Sequence, residues 1–189
     1  MNRNPHCTFC SLSKTCYTVC LWGNGTLYDN PIMFVGEAPG ATEDKIQIPF
    51  VGNSGRILQK LIKDELKLSR NLVYITNVVK CRPPENRAPT IREIKACRPY
   101  FLQEVYNVRP RLIVTLGITA HRTLFPELYQ SHEPIQMNVI RAYPKMFFSF
   151  RDKNIRVFST YHPAAVLYSP NLREELKNDF KKIKELAHV

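Results

Sequence analysis

Residues 31–55 read PIMFVGEAPGATEDKIQIPFVGNSG, and no other stretch restricts the fold as much. The apolar run Ile32-Met33-Phe34-Val35 has the length of one buried strand. It breaks at Gly36-Glu37-Ala38-Pro39-Gly40, where two glycines and a proline force a tight turn whose backbone amides can face a ligand. Glu43 and Asp44 follow, then Pro49-Phe50-Val51-Gly52. Asn53 or Ser54 is a good N-cap for a helix carrying Ile57, Leu58, Leu61 and Ile62 at helical spacing. A strand end, a glycine loop bearing a carboxylate, an aromatic and a helix start together describe a pocket in an α/β protein. The plainer reading is a strand-to-helix connection, since glycine loops after strands are common.

The rest of the chain repeats the alternation. A helix over about 53–67 precedes the β-rich run Leu72-Val73-Tyr74-Ile75. Thr76-Asn77 then opens the loop Val78-Val79-Lys80-Cys81-Arg82-Pro83-Pro84, where two prolines exclude a helix. Thr90 with Glu93 forms a capping box for a helix running to about Asn107. Arg111–Leu116 reads as a third buried strand ended by Gly117, followed by a helix through Ala120, Leu124 and Phe125 that stops at Pro126. Residues 126–154 mix aromatic and basic residues without a period. Ile155–Ser159 is a last strand, Thr160-Tyr161-His162-Pro163-Ala164-Ala165 its loop, and Leu172–Leu186 a helix with one solvated face. The expected architecture is a three-layer α/β/α sandwich around a mostly parallel four-stranded sheet. Its three informative loops each follow a strand and should share one edge of the sheet.

A chain of 189 residues without a linker or internal repeat suits one domain, residues 1–31 being a cysteine-rich N-terminal segment. With 27 basic and 16 acidic residues the formal charge is +11, which favours a polyanion, nucleic acid or an anionic membrane surface. No apolar run approaches membrane-spanning length, and Met1-Asn2-Arg3-Asn4-Pro5-His6 lacks a signal-peptide core. A monomer in the cytoplasm, nucleoid or a viral replication compartment is expected, not a secreted or membrane-bound protein. In a reducing compartment six cysteines argue for metal or redox chemistry over disulfides. Cys7 and Cys10 form a Cys-x2-Cys pair, and fifteen residues separate Cys81 from Cys97. Four thiolates in two pairs suit a structural zinc or a four-iron cluster, and spacing does not choose between them. Lys80 and Arg82 beside Cys81 would stabilise thiolates. Cys16 and Cys20 read as buried thiols or alternative ligands.

The ordered set Gly36-Glu37-Ala38-Pro39-Gly40, Glu43-Asp44, Pro49-Phe50-Val51-Gly52, Thr76 to Pro84 and His162-Pro163-Ala164-Ala165 resembles the family 4 uracil-DNA glycosylases, the iron–sulfur type. The resemblance runs from Cys7 through the C-terminal helix, with 126–154 the exception. It implies a structural 4Fe-4S cluster on Cys7, Cys10, Cys81 and Cys97, with zinc the less favoured alternative. It also implies removal of uracil from single- or double-stranded DNA, leaving an abasic site for base excision repair.

A base inside a duplex must be flipped out to be reached. Phe50 can stack on the flipped ring, Asn77 offers a donor and an acceptor to the pyrimidine edge, and His162 can donate to the developing uracil anion. Glu37 can orient water or stabilise the cationic sugar, and Glu43 is a second carboxylate able to shape the pocket. Gly36, Ala38, Pro39 and Gly40 supply the loop around the base. Val166 and Leu167 can fill the gap in the duplex. Lys80, Arg82, Arg87 and Arg173 are candidate phosphate contacts, and Ser54 and Gly55 can offer amides at a helix start. Each has a structural alternative: a core phenylalanine, a turn asparagine, a capping carboxylate, a first helical turn, solvated charges.

The chain departs from the family pattern in places. Gln47-Ile48 stands where relatives carry a glycine before Pro-Phe, and Tyr168 where they tend to have an arginine. No histidine follows Pro84 in its loop, unlike relatives that bond covalently to the abasic site. Two rival readings need less. A non-catalytic metal-containing DNA-binding subunit would need the basic surface and cysteines but not Glu37, Asn77 and His162. A free-nucleotide enzyme would not need the charge of +11.

Overall fold

The computed structural model describes residues 4–129, 136–141 and 146–189. The strands are β1 (Asn24–Gly25), β2 (Ile32–Gly36), β3 (Tyr74–Asn77), β4 (Leu112–Leu116), β5 (Met146–Phe150) and β6 (Lys153–Thr160). The α-helices are α1 (Ala41–Ile46), α2 (Asn53–Leu61), α3 (Ile91–Val108), α4 (Ile118–Leu124), α5 (Met137–Arg141), α6 (Ala165–Tyr168) and α7 (Leu172–Ala187). A π-helical turn, Ile62–Leu66, extends α2.

The strands form one six-stranded sheet in the order β1-β3-β2-β4-β6-β5. β3, β2, β4 and β6 run parallel, whereas β1 and β5 pair antiparallel at the two edges. The expected four-stranded sheet is therefore the parallel centre, and the count is corrected to six among the described residues. The edges escaped notice for local reasons. β1 is two residues long, and β5 (MFFSF) alternates burial only weakly at a sheet margin. α1 was also unforeseen, because its six residues start directly from the glycine loop.

Side chains alternate across the sheet as strand geometry requires. Met33, Val35, Ile113 and Val157 pack with Phe101, Val105 and Val108 of α3 and Ala120 and Leu124 of α4. Ile32, Phe34, Leu112, Val114 and Phe158 pack on the other face with Leu58, Leu61, Leu66, Leu176, Phe180 and Ile183. This is the three-layer α/β/α sandwich. Phe34 and Phe180 stack at 5.7 Å between ring centres, and truncating a buried aromatic of this kind to alanine costs about 3–5 kcal/mol. α3 begins with the capping box read from the sequence: Glu93 N donates to Thr90 Oγ1, and Thr90 N donates to Glu93 Oε2.

The strand order places the site. The chain leaves β2 toward β3 on one side and later leaves β4 toward β6 on the other. Connections that diverge in this way open a crevice at the carboxyl ends of β2 and β4.

Candidate functional site

The crevice holds a cavity of about 310 Å³ lined by Glu37, Ala38, Gly40, Glu43, Phe50, Ser54, Asn77, Leu116, Gly117, Ile118, Thr119 and His162. The three loops expected to converge do so, and a fourth, after β4, joins them. The β4 loop went unread because its place at the diverging connections emerges only once the strand order is known.

Gly36 is the point around which the site closes. A Cβ there would lie 2.5 Å from both Asn77 Oδ1 and Phe50 Cζ. Only a residue without a side chain lets the asparagine and the aromatic ring meet over the end of β2. Val78 N donates to Gly36 O at 2.9 Å and Val79 N to Glu37 O at 3.0 Å, so the loop after β3 is laced to the glycine loop. Pro39 is buried behind the loop.

Phe50 is 4% exposed and adopts φ +55, in the left-handed region. Its ring centre lies 5.7 Å from the His162 imidazole, inclined by 36°. Asn77 is buried at the end of β3, and its Oδ1 has no hydrogen-bond partner among the described residues. An unpaired buried acceptor is costly, which marks it as a position for a ligand's N–H.

His162 Nδ1 accepts from Ala164 N at 3.2 Å. That contact places the imidazole proton on Nε2, making Nε2 the donor. Burial lowers the His162 pKa to about 4, with the Glu43 charge pulling weakly the other way. The ring is therefore neutral at physiological pH. Gly117 has φ +90, and a Cβ there would stand 3.2 Å from His162 Cβ, so this glycine also makes room for the imidazole.

The two carboxylates separate into different tasks. Glu43 Oε1 accepts from Val51 N at 3.0 Å and Gly52 N at 2.7 Å, clasping the Phe50 loop. Glu37 Oε2 accepts from Thr119 Oγ1 at 2.5 Å, and among the described residues its other oxygen makes no comparable bond. Asp44 lies outside the cavity and binds Tyr17 N and Thr18 N, anchoring the N-terminal segment.

The cysteines gather behind the same loops. Cys7, Cys20, Cys81 and Cys97 are buried, and Cys10 and Cys16 are half-buried. Cys20 N donates to Cys81 Sγ at 3.3 Å and Lys80 N to Cys97 Sγ at 3.5 Å. Cys10 and Cys97 feel the charge of Cys81, Cys10 also that of Cys7, and Cys16 shares a hydrogen bond with Cys81. Burial pushes Cys97 up to about 12, and the Cys16 contact together with burial raises Cys81. The donor set offers four thiols from three elements plus backbone amides aimed at sulfur, as a thiolate-held centre requires. Among the described residues no group of three or more His, Cys, Asp or Glu is closed around a single-ion position.

Two expected DNA contacts are corrected. Lys80 is 0% exposed and forms an ion pair with Glu104, so it cannot meet a phosphate or act as an exposed cation beside Cys81. Val166 is 5% exposed and belongs to the core, while Leu167 (52%) and Tyr168 (86%) project from α6. Helical rotation turns one apolar neighbour inward and the next outward. Arg87 is exposed yet held by Glu93 through both guanidinium ends, at 2.9 and 2.7 Å. Arg82 donates to Asn86 Oδ1 at 2.8 Å, and Arg173 is exposed. Ser54 lies in the first turn of α2 at the cavity wall, whereas Gly55 packs directly against the backbone of Phe50.

No helix among the described residues is long and apolar enough to cross a membrane. Comparison with known proteins agrees with the geometry. The profile of the Uracil DNA glycosylase superfamily matches residues 22–185. A type-4 uracil-DNA glycosylase of Sulfurisphaera tokodaii is 49% identical over 156 residues, covering 82% of this chain and 70% of the relative. That of Archaeoglobus fulgidus is 45% identical over 157 residues, covering 82% and 76%. That of Thermotoga maritima is 37% identical over 184 residues, covering 96% and 90%. Matches of this length and identity, over a chain that brings Phe50, Asn77, His162 and Glu37 into one crevice, establish that it belongs to the type-4 branch of the uracil-DNA glycosylase superfamily.

Proposed function

We propose that this chain hydrolyses the N-glycosidic bond of deoxyuridine in DNA, releasing uracil and leaving an abasic site. The observation that carries the reading is the unpaired Asn77 Oδ1, set in the same cavity as the Phe50 ring and the His162 Nε2 donor. Uracil supplies the missing N–H at N3, and its neighbouring carbonyl accepts from the Asn77 amide. Phe50 stacks on the ring face, and the flipped nucleotide enters from the open side of the crevice.

Cleavage breaks the bond between C1′ and N1, and its electron pair leaves with the base. The ring carbonyl next to N1 gains negative charge, and the neutral His162 donates to it through Nε2. Glu37 is oriented by Thr119 and faces the sugar with its other oxygen. It stabilises the cationic C1′, accepts a proton from the attacking water, and the water oxygen completes the abasic sugar. Glu43 is given the role of holding the Phe50 loop through the two amides on its Oε1, and the role of base is given to Glu37.

The four thiols Cys7, Cys10, Cys81 and Cys97 would hold a 4Fe-4S cluster, favoured over zinc by the family likeness. When bound, it would join the N-terminal segment, the loop after β3 and α3 by covalent ties. No step of the reaction runs through it. DNA is gripped by the surplus positive charge, with Leu167 as the wedge and Arg173 as a phosphate contact.

The test uses a single-stranded and a U:G duplex oligonucleotide, each followed by alkali cleavage. The wild-type protein should nick both at uracil and leave thymine-containing controls whole. Glu37→Gln and His162→Ala should each lower the single-turnover rate by about 10²–10³ with DNA affinity retained. Uncut uracil strands from the wild-type protein would overturn the reading.

A further inference from the structure

Phe50 presents a physical problem that its own loop does not solve. A bulky residue at φ +55 is disfavoured and persists only where its surroundings impose it. The amides after it are held by Glu43, but the carbonyls before and at Phe50 need partners of their own. Arg70 supplies them. Its Nη2 donates to Pro49 O at 2.5 Å and its Nη1 to Phe50 O at 3.4 Å. Gln59 Nε2 adds a bond to the same Phe50 carbonyl at 3.2 Å. Behind that carbonyl lies Gly55, where a Cβ would come within 2.1 Å of Phe50 C and O, so the peptide has no room to retreat. The turn is thus gripped from two sides, a guanidinium on its carbonyls and a carboxylate on its amides.

Arg70 does not line the cavity. It opens a short 3₁₀ turn, Arg70–Leu72, immediately before β3, and is half-buried. We propose that Arg70 is a positioning residue for base capture, holding the Phe50 ring in its stacking pose through the Pro49 and Phe50 carbonyls. The proposal rests on the reading of Phe50 as the face that receives uracil. Arg70 acts on the base only through that ring, and Gln59 is its auxiliary. The chemistry at C1′ is left to Glu37 and His162.

The experiment compares Arg70→Leu, Arg70→Lys and Gln59→Leu with the wild-type protein. Two readouts are single-turnover cleavage over a range of enzyme concentrations and inhibition by free uracil. Hydrogen bonds to a charged group set the scale. Arg70→Leu should weaken half-saturation and free-uracil inhibition together, by roughly 10- to 100-fold, with a smaller change in the maximal rate. Arg70→Lys, which can reach one carbonyl but not two, should fall between. In a Phe50→Leu background Arg70→Leu should add less than about 2-fold, because both changes remove one function.

A penalty that multiplies in the Phe50→Leu background overturns the proposal. So does a weakened DNA affinity with a reduced salt slope and unchanged inhibition by uracil, which is the behaviour of a phosphate contact. Should Arg70→Leu not fold, Gln59→Leu carries the test, with the same pattern at smaller size expected and unchanged uracil inhibition overturning it. A wild-type protein that leaves uracil strands whole defeats the glycosylase reading. A wild-type protein that cuts them, alongside an Arg70→Leu protein indistinguishable from it, defeats the clamp alone.

Discussion

Lys80 and Glu104 form an ion pair with both side chains 0% exposed, and its removal should be felt throughout the domain. Lys80 Nζ donates to Glu104 Oε2, to Asn77 O at 2.6 Å and to Thr76 Oγ1 at 2.7 Å. Glu104 also accepts from Gly23 N at 2.6 Å, Tyr74 OH at 3.2 Å and Thr76 Oγ1 at 2.7 Å. Breaking a fully buried pair from one side costs about 3–5 kcal/mol, since the remaining charge is stranded. For a domain of this size that is a fall in Tm of roughly 6–20 °C. The two single substitutions should differ. Lys80→Met leaves a carboxylate that still receives Gly23 N and two hydroxyls. Glu104→Gln leaves a buried ammonium facing a neutral amide, with Asn77 O and Thr76 Oγ1 beside it and its counter-charge gone, and should be the more damaging. The double substitution should be less destabilised than the sum of the singles. Thermal melts followed by circular dichroism give the ordering, and single-turnover cleavage reports whether Asn77 has moved with its carbonyl. Single variants melting within about 1 °C of the wild type would refute the reasoning, as would a Lys80→Met protein weaker than Glu104→Gln.

Further outcomes are expected. His121 and His162 are both lowered by burial from 6.5 to about 4. The unfolded chain therefore binds those protons first, so stability should be lost as pH falls from about 6.5 to about 4, by at most about 1.4 kcal/mol per pH unit for each histidine. Urea titrations across that window, repeated with His121→Gln, would show the slope reduced; an unchanged slope contradicts the assignment. Gly36→Ala should push Asn77 and Phe50 apart and slow cleavage by roughly 10- to 100-fold, in line with the cost of overpacking. A wild-type rate from this variant would mean the close approach at Gly36 is unimportant. Protein purified without oxygen should be brown and contain about four irons per chain, and Cys97→Ser should lose both. A colourless chain with one zinc would reverse the choice of metal. Leu167→Ala should lower activity on duplex more than on single strands, because only a duplex leaves a gap to fill; equal losses would exclude a wedge.

The sequence disclosed the parallel core and most of the pocket for one reason. Loops that follow parallel strands emerge on a common edge, so Gly36–Gly40, Asn77 and His162 could be placed together without knowing the strand order. The Thr90–Glu93 capping box was equally legible, because both partners lie within one helical turn. Features that depend on distant partners were not. The fate of Lys80 is decided by Glu104, far along the chain, and no local pattern separates a buried lysine from a solvated one. The orientation of Glu37 waits on Thr119, in the first turn of α4, whose importance follows from the sheet order. Val166 and Leu167 look alike in sequence and differ only in which faces the core. Gln47 adopts φ +65, a conformation glycine takes freely, which fits the glycine that the family resemblance leads one to expect in this stretch.

The helix α3 buries Glu93, Cys97, Phe101 and Glu104 along a single stripe. Each residue advances a helix by about 100°, so one inserted or deleted position between Glu93 and Glu104 would swing everything beyond it off the stripe. The thiol, the core ring and the carboxylate would then be misaligned together. Descendants of this chain can lengthen or shorten their surface connections, but the spacing inside this helix is a ruler that evolution cannot recut one notch at a time.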